Sequence, residues 1–267
     1  MNRSGDGFQQ QGTQQHRRID AARCGPPSSA NGGWTAGLLA DALLNALGRT
    51  AALPVTVNLH LPPPLEVDMS LQLDGHGAET RARLLAAADP TGAEQAVVAT
   101  AVSEGTASLA PVPPVHVAVA AAASRRYAGA DAHPFPSCFV CGTARADGDG
   151  LCLRPGRVDG GRTACTWTPH RNFAGADGTL DAAYVWAALD CPGGWTTNLV
   201  GRPMVLVRMT ALVHRRPAVG EELVVVGQHL DTEGRKTHAA TTAYDSGGGI
   251  VGRARHLWVS VDPAAFG

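Results

Sequence analysis

Gly178-Thr-Leu-Asp-Ala-Ala-Tyr-Val-Trp-Ala-Ala-Leu-Asp-Cys-Pro-Gly-Gly-Trp195 is the stretch on which the fold turns. It follows the turn-prone Gly175-Ala-Asp-Gly178 and runs through Ala, Leu, Val and Trp to Asp190. Pro192, Gly193 and Gly194 predict that a helix ends or kinks near that point. A segment this apolar has little face to offer water, so it predicts a helix wrapped by other structure. A carboxylate near the end of such a helix is capped, paired or chemically employed.

Outward from this helix the chain alternates. Residues 205–213, 222–230, 237–244 and 250–261 have strand patterning, with turns at 217–220, 231–234 and 245–249. Upstream, residues 151–154 and 162–167 predict a short hairpin around Asp159-Gly-Gly161. The first half follows the same plan. Leu38, Leu39, Ala42, Leu43, Ala46 and Leu47 recur at helical spacing and Gly48 closes them. Strand patterns follow at 55–61, 65–73, 80–88 and 96–104, broken by Pro62-Pro63-Pro64, by Asp74-Gly-His-Gly77 and by Asp89-Pro-Thr-Gly92.

The two halves match position by position. His60 and His214, Pro63 and Pro217, Met69 and Leu223, and Arg81 and Arg235 are each separated by 154 residues. Matching breakers and matching alternation over such a span predict two copies of one helix-plus-antiparallel-sheet unit. The expected organisation is a disordered leader (1–24), an N-terminal unit (25–110), a Pro/Ala-rich linker (111–136) and a C-terminal unit (137–267).

Of the 267 residues, 44% are hydrophobic, and the net charge of −1 gives no footprint for nucleic acid or for electrostatic membrane binding. No apolar run approaches the roughly 18–20 residues that span a bilayer. The Gln-, Gly- and Arg-rich start has no apolar h-region, so a cytoplasmic location is expected. Six cysteines in a chain this long predict reduced thiols rather than a disulfide scaffold.

A helix followed by a four-stranded antiparallel meander, duplicated, resembles the tandem or double hotdog arrangement (α+β) of the thioesterase-like hotdog superfamily. Local motifs resemble it too. Asn31-Gly-Gly-Trp-Thr-Ala-Gly-Leu-Leu is similar to the start of the central helix in such proteins. Thr168-Pro-His-Arg-Asn-Phe-Ala-Gly175, with Asp190 to follow, resembles the pattern of phenylacetyl-CoA-type thioesterases. Val213-His-Arg-Arg-Pro217 resembles a strand end of acyl-CoA thioesterase II, and Cys138-Phe-Val-Cys-Gly142 the start of many small hotdog domains. Three positions depart from the family pattern: Asp181-Ala182-Ala183 replaces His-Gly-Gly, Leu206 a strand Thr, and His256 a last-strand Gln.

The resemblance implies a hydrolase acting on an acyl thioester of coenzyme A or an acyl carrier protein, with coenzyme A entering as part of the substrate and no other cofactor. The alternatives are a non-catalytic acyl-binding module and a hotdog dehydratase or lyase acting on a carrier-bound intermediate. One chain is expected to complete one site, and a homodimer stays open.

Thioester hydrolysis needs an activated water or a carboxylate nucleophile, and donors aimed at the carbonyl oxygen. Gly32 and Gly33 at a helix start supply unpaired N–H groups and close approach. The resemblance places Asp190 across from them as base or nucleophile, with Asn172 and His256 as assistants. Asp41 on the first helix is the rival carboxylate, and an exposed helix-face role is expected for it. Arg215, Arg235 and Lys236, near strand ends and turns, are candidates for meeting the phosphates of coenzyme A. Cys138-x-x-Cys141 invites zinc, but a closed site needs four ligands. No second CxxC or HxxxH accompanies it, and Cys152, Cys165 or His133 would have to converge, so reduced thiols and no metal are expected.

Overall fold

The computed structural model describes residues 14–48, 52–88, 94–103, 105 and 108–266. The strands form where alternation and β-branched or apolar residues predict them: β2 (Val55–Leu59), β3 (Met69–Asp74), β4 (Arg81–Ala87) and β5 (Gln95–Ser103) in the first half. β8 (Met204–Val213), β9 (Leu223–Glu233), β10 (Lys236–Asp245) and β11 (Ile250–Ser260) follow in the second. With β1 (Gln14–Arg17), β6 (Gly156–Arg157) and β7 (Arg162–Trp167) they make one eleven-stranded sheet, ordered β1-β3-β4-β5-β2-β8-β11-β10-β9-β7-β6. Every recorded pairing between these strands is antiparallel.

The seam between the halves is β2 against β8, from Val55↔Ala211 to Asn58↔Arg208. Thr56 pairs with Thr210, and their hydroxyls meet at 2.6 Å. These two residues are equivalents in the 154-residue repeat. Equivalent residues pair with each other only on a twofold axis, so the seam marks a pseudo-twofold between the units.

The sheet wraps two long helices, α1 (Gly32–Ala46) and α3 (Ala182–Gly194), which pack on each other. In α3 every residue from Ala183 to Gly194 is buried, as its apolar sequence requires. Pro192 sits inside the last turn, and the helix ends two residues beyond it. The helices approach closely because α1 presents glycine. A Cβ on Gly37 would lie 2.6 Å from the Ala183 Cα, and one on Gly33 would lie 2.6 Å from the Asp190 Cβ. Fully buried Leu39, Leu43, Val185 and Leu189 fill the space between helices and sheet, each worth about 1.5–3 kcal/mol of burial.

Three sequence expectations need correction. Residues 14–24 of the expected leader are ordered: β1 adds to the sheet edge beside β3, and Ile19 is buried. Its polar residues suit an edge strand, so composition alone reads as disorder. The linker carries a helix, α2 (Val117–Ser124), whose Ala120 and Ala123 bury against the outer face of β7 and β9. That face needs covering because Ala164, Val224, Val226 and Ala240 point outward from the helices. The expected hairpin at 151–154 is shifted to β6 and β7. Residues 1–13 and the turn expected at 89–92 lie outside the described residues.

Candidate active site

Asp190 is 1% exposed and stands where α3 crosses the start of α1. Its Oδ2 accepts from the Gly33 backbone N–H at 3.0 Å and from Asn31 Nδ2 at 3.0 Å. Asn31 has two tasks, for its Oδ1 also caps α1 by accepting from the Trp34 N–H at 2.9 Å. Oδ1 of Asp190 has no partner among the described residues. Burial pushes the carboxyl up to about 7, against the pull of the Gly33 N–H and of Asn31.

The carboxyl lines a cavity of about 150 Å³. Its walls are largely apolar, with Leu59, Leu61, Phe135, Leu199, Met204 and Leu206 among them, and His60 and His133 add imidazoles. Trp258 also lines it, and the buried Nε1 of that side chain, like Asp190 Oδ1, has no partner among the described residues. An unpaired acceptor and an unpaired donor thus belong to one cavity, and buried groups left unpaired are costly unless a ligand meets them. Gly32 lines the cavity as well, and its amide, in the first turn of α1, has no acceptor among the described residues.

The loops that carry this site are pinned by an aromatic box. The Arg23 guanidinium lies 4.4 Å from the Phe139 ring centroid and 4.9 Å from that of Trp34, with Phe173 and Tyr184 alongside. The Phe139 N–H donates to the Cys24 carbonyl at 2.7 Å, tying residues 138–142 to the segment before α1.

The structure brings Asp190, Gly32 and Gly33 together and separates the others. Asn172 lies in an exposed turn, donating to the Gly148 carbonyl at 3.2 Å, and does not line the cavity. The His170–Phe173 turn that holds it sends Phe173 into the aromatic box, but its Asn172 side chain sits beside Gly148 instead of Asp190. His256 is buried behind the C-terminal end of α3, with Nε2 3.4 Å from Thr241 Oγ1 and its ring against Gly193. Its strand register turns it toward the helix backbone, and it too is absent from the cavity wall.

Arg215 follows the far end of β8 from the cavity, where its guanidinium bridges Glu221 and Asp245. That end holds a separate cleft lined by Asp41, Ala182, Arg215 and Arg216. Asp41 there is exposed and accepts from Asn45 Nδ2 at 3.1 Å. Lys236 begins β10 at the cavity end of the sheet, and Arg235, in the turn before it, donates to the Ser260 carbonyl, whose residue pairs with Met204.

Burial pushes the His256 imidazole down to about 4 from its ordinary 6.5. The folded protein therefore holds a neutral ring that the unfolded chain protonates first. Stability from this group is fully present above pH 6.5 and is lost as pH falls toward 4. The full loss is about 3 kcal/mol. Urea unfolding of wild type and His256→Gln at pH 7 and pH 4 checks this. The wild type is expected to lose more by about that amount, and equal losses would overturn the assignment.

Sequence reasoning missed Asn31 as a site residue, Trp258, and the third member of a thiol cluster. Cys138 and Cys141 are joined by Cys191, neighbour of Asp190 in α3, rather than by Cys152 or Cys165. Cys138 Sγ lies 3.8 Å from both Cys141 Sγ and Cys191 Sγ. The adjacency of Cys191 to Asp190 was the available signal, since both sit on the helix that faces the CxxC segment.

No protein-family model matches the chain, and no curated protein matches it in sequence. Solved structures do match. A tesB protein of Mycobacterium avium subspecies paratuberculosis superposes with a TM-score of 0.61 at 12% identity, covering 93% of each chain. The dehydratase domain of RzxB from Pseudomonas fluorescens gives 0.63 at 13%, covering 92% of this chain and 93% of that one. A conserved hot dog fold protein of unknown function from Alicyclobacillus acidocaldarius gives 0.56 at 15%, covering 96% and 95%. The fold is the double hotdog. Among the described residues no helix is long and apolar enough to cross a membrane.

Proposed function

We propose that this chain hydrolyses an acyl thioester, with Asp190 as the base. The observation that carries the proposal is the buried carboxyl in the cavity wall, fixed through Oδ2 by Asn31 and Gly33 and free at Oδ1. A water drawn to Oδ1 gives up a proton there and attacks the thioester carbon. The amide of Gly32, at the positive end of α1, is placed to receive the developing oxyanion, and the thiolate leaves. Arg235 and Lys236 stand at the cavity end of the sheet, where the phosphates of a coenzyme A or carrier-protein arm would lie.

A second reading, dehydration of a carrier-bound 3-hydroxyacyl group, draws on His60 and His133 in the wall of the same cavity. Incubating the protein with acyl-CoA and acyl-carrier-protein series separates the readings. Saturable release of free thiol is the expected result. Conversion of a 3-hydroxyacyl thioester to its enoyl product with the thioester intact would establish the second reading instead. Saturable binding with neither product would leave an acyl-binding module.

A further inference from the structure

We propose that Cys138, Cys141 and Cys191 hold a Zn²⁺ ion in the cavity wall through three thiolates, leaving the fourth coordination position open to the cavity. This inference stands independently of the hydrolase reading. The three sulfurs are buried and lie within 4.8 Å of one another. Zinc–sulfur bonds of about 2.3 Å at tetrahedral angles put sulfurs about 3.8 Å apart. The Cys138–Cys141 and Cys138–Cys191 separations are both 3.8 Å.

The backbone is built for this convergence. Gly142 donates to the Cys138 carbonyl at 2.9 Å and folds the CxxC segment back on itself. A Cβ at Gly142 would lie 2.4 Å from the Pro136 carbonyl and 2.5 Å from that of Cys138, so the turn requires glycine. The third sulfur arrives from the last turn of α3, a rigid element.

Thiolate ligands need donors around them. Trp195 Nε1 donates to Cys141 Sγ at 3.4 Å, and His133 Nε2 lies 3.4 Å from the same sulfur. His133 is not the fourth ligand. Its Nδ1 accepts from the Phe135 N–H at 2.9 Å, so the neutral ring carries its proton on Nε2 and can only donate there. All three cysteines line the cavity that holds Asp190, so the unfilled position faces a substrate space. Closed structural sites have four protein ligands, whereas sites that act on substrates keep one position open. Binding replaces three S–H protons by one ion and releases those protons to solvent.

The test uses the full chain, free of any affinity tag, purified under reducing conditions without chelator and then exposed to zinc and desalted. Close to one zinc per chain is expected by elemental analysis. It should be lost in Cys138→Ser, Cys141→Ser and Cys191→Ser and kept in Cys165→Ser, a buried thiol outside the cluster. His133→Ala should keep the metal. Since the serine variants can fail to fold, wild type is also stripped and reloaded with Co²⁺, which should show thiolate-to-cobalt charge transfer and tetrahedral ligand-field bands. A wild type that retains only a small fraction of an equivalent and gives no such bands would overturn the site. So would zinc retained equally by all four cysteine variants, and loss of zinc in His133→Ala would overturn the open position.

Discussion

Asp190→Asn is expected to lower turnover on the best acyl thioester by roughly 10²–10⁴, the usual scale for loss of a general base. Asn is nearly isosteric. Its amide oxygen can take over both bonds that Oδ2 now accepts from Asn31 and Gly33, with the NH₂ placed where Oδ1 has no partner. The fold should therefore survive, with thermal unfolding close to wild type. Asp41→Asn should leave turnover within a few-fold, because that side chain is exposed and bonded to Asn45. Steady-state rates of both variants at matched folded fraction decide the matter. Zinc content of Asp190→Asn should be measured in parallel, so that a lost base is not confused with a lost ion at neighbouring Cys191. Loss of turnover in Asp41→Asn alone would move the chemistry to the other cleft. If neither change matters, Asp190 is not a base.

The second large effect is on stability. Gly37→Ala is expected to lower the melting temperature by several degrees even though Ala is the better helix former. The intrinsic gain is about 1 kcal/mol. Against it, the new methyl would meet Ala183 Cα at 2.6 Å and Trp186 Cβ at 3.0 Å, a backbone and a buried ring stem that cannot swing aside. Overpacking of this kind costs about 1–3 kcal/mol and sometimes more. Gly33→Ala should destabilise similarly, since its methyl would meet Asp190 Cβ at 2.6 Å and the Trp186 carbonyl at 2.8 Å. It should also lose turnover, because the Gly33 N–H that holds Oδ2 is displaced with it. Thermal melts and rates of the two variants separate the roles. A Gly37→Ala protein more stable than wild type would show that the helices are less tightly apposed than a 2.6 Å methyl contact requires.

The fold was legible because its determinants are periodic. Alternation marks β2 to β5 and β8 to β11, and breakers recurring at 154 residues mark the duplication that Thr56↔Thr210 pairing makes physical. Elements whose stability comes from docking were not legible. β1 is four polar residues held by an edge, and α2 is a run of Ala and Val with no amphipathic stripe, ordered by the outer face of the sheet. The site divides in the same way. Asp190 and Gly33 are marked locally, by a charge in an apolar helix and by a glycine at a helix start. Asn31, Trp258 and the union of Cys191 with Cys138 and Cys141 depend on which loops fold over which helix ends, and sequence spacing does not encode that. Asn172 shows the converse, since the Asn172-Phe-Ala-Gly175 part of its pattern is present in sequence but its side chain turns to the Gly148 carbonyl.

Because Thr56 meets Thr210 rather than a second Thr56, a mutation in this chain strikes one end of the axis and spares the other. A symmetric dimer has no such freedom: every change lands twice, and each end must keep whatever the other needs. Here the ends have gone separate ways. One keeps an unpaired carboxylate oxygen against an apolar cavity, while the other has an exposed Asp41 and ties Arg215 into ion pairs with Glu221 and Asp245. Two unlike units in one chain carry no obligation of likeness, so one end can keep an open carboxylate oxygen while its twin spends its charges on holding the sheet together.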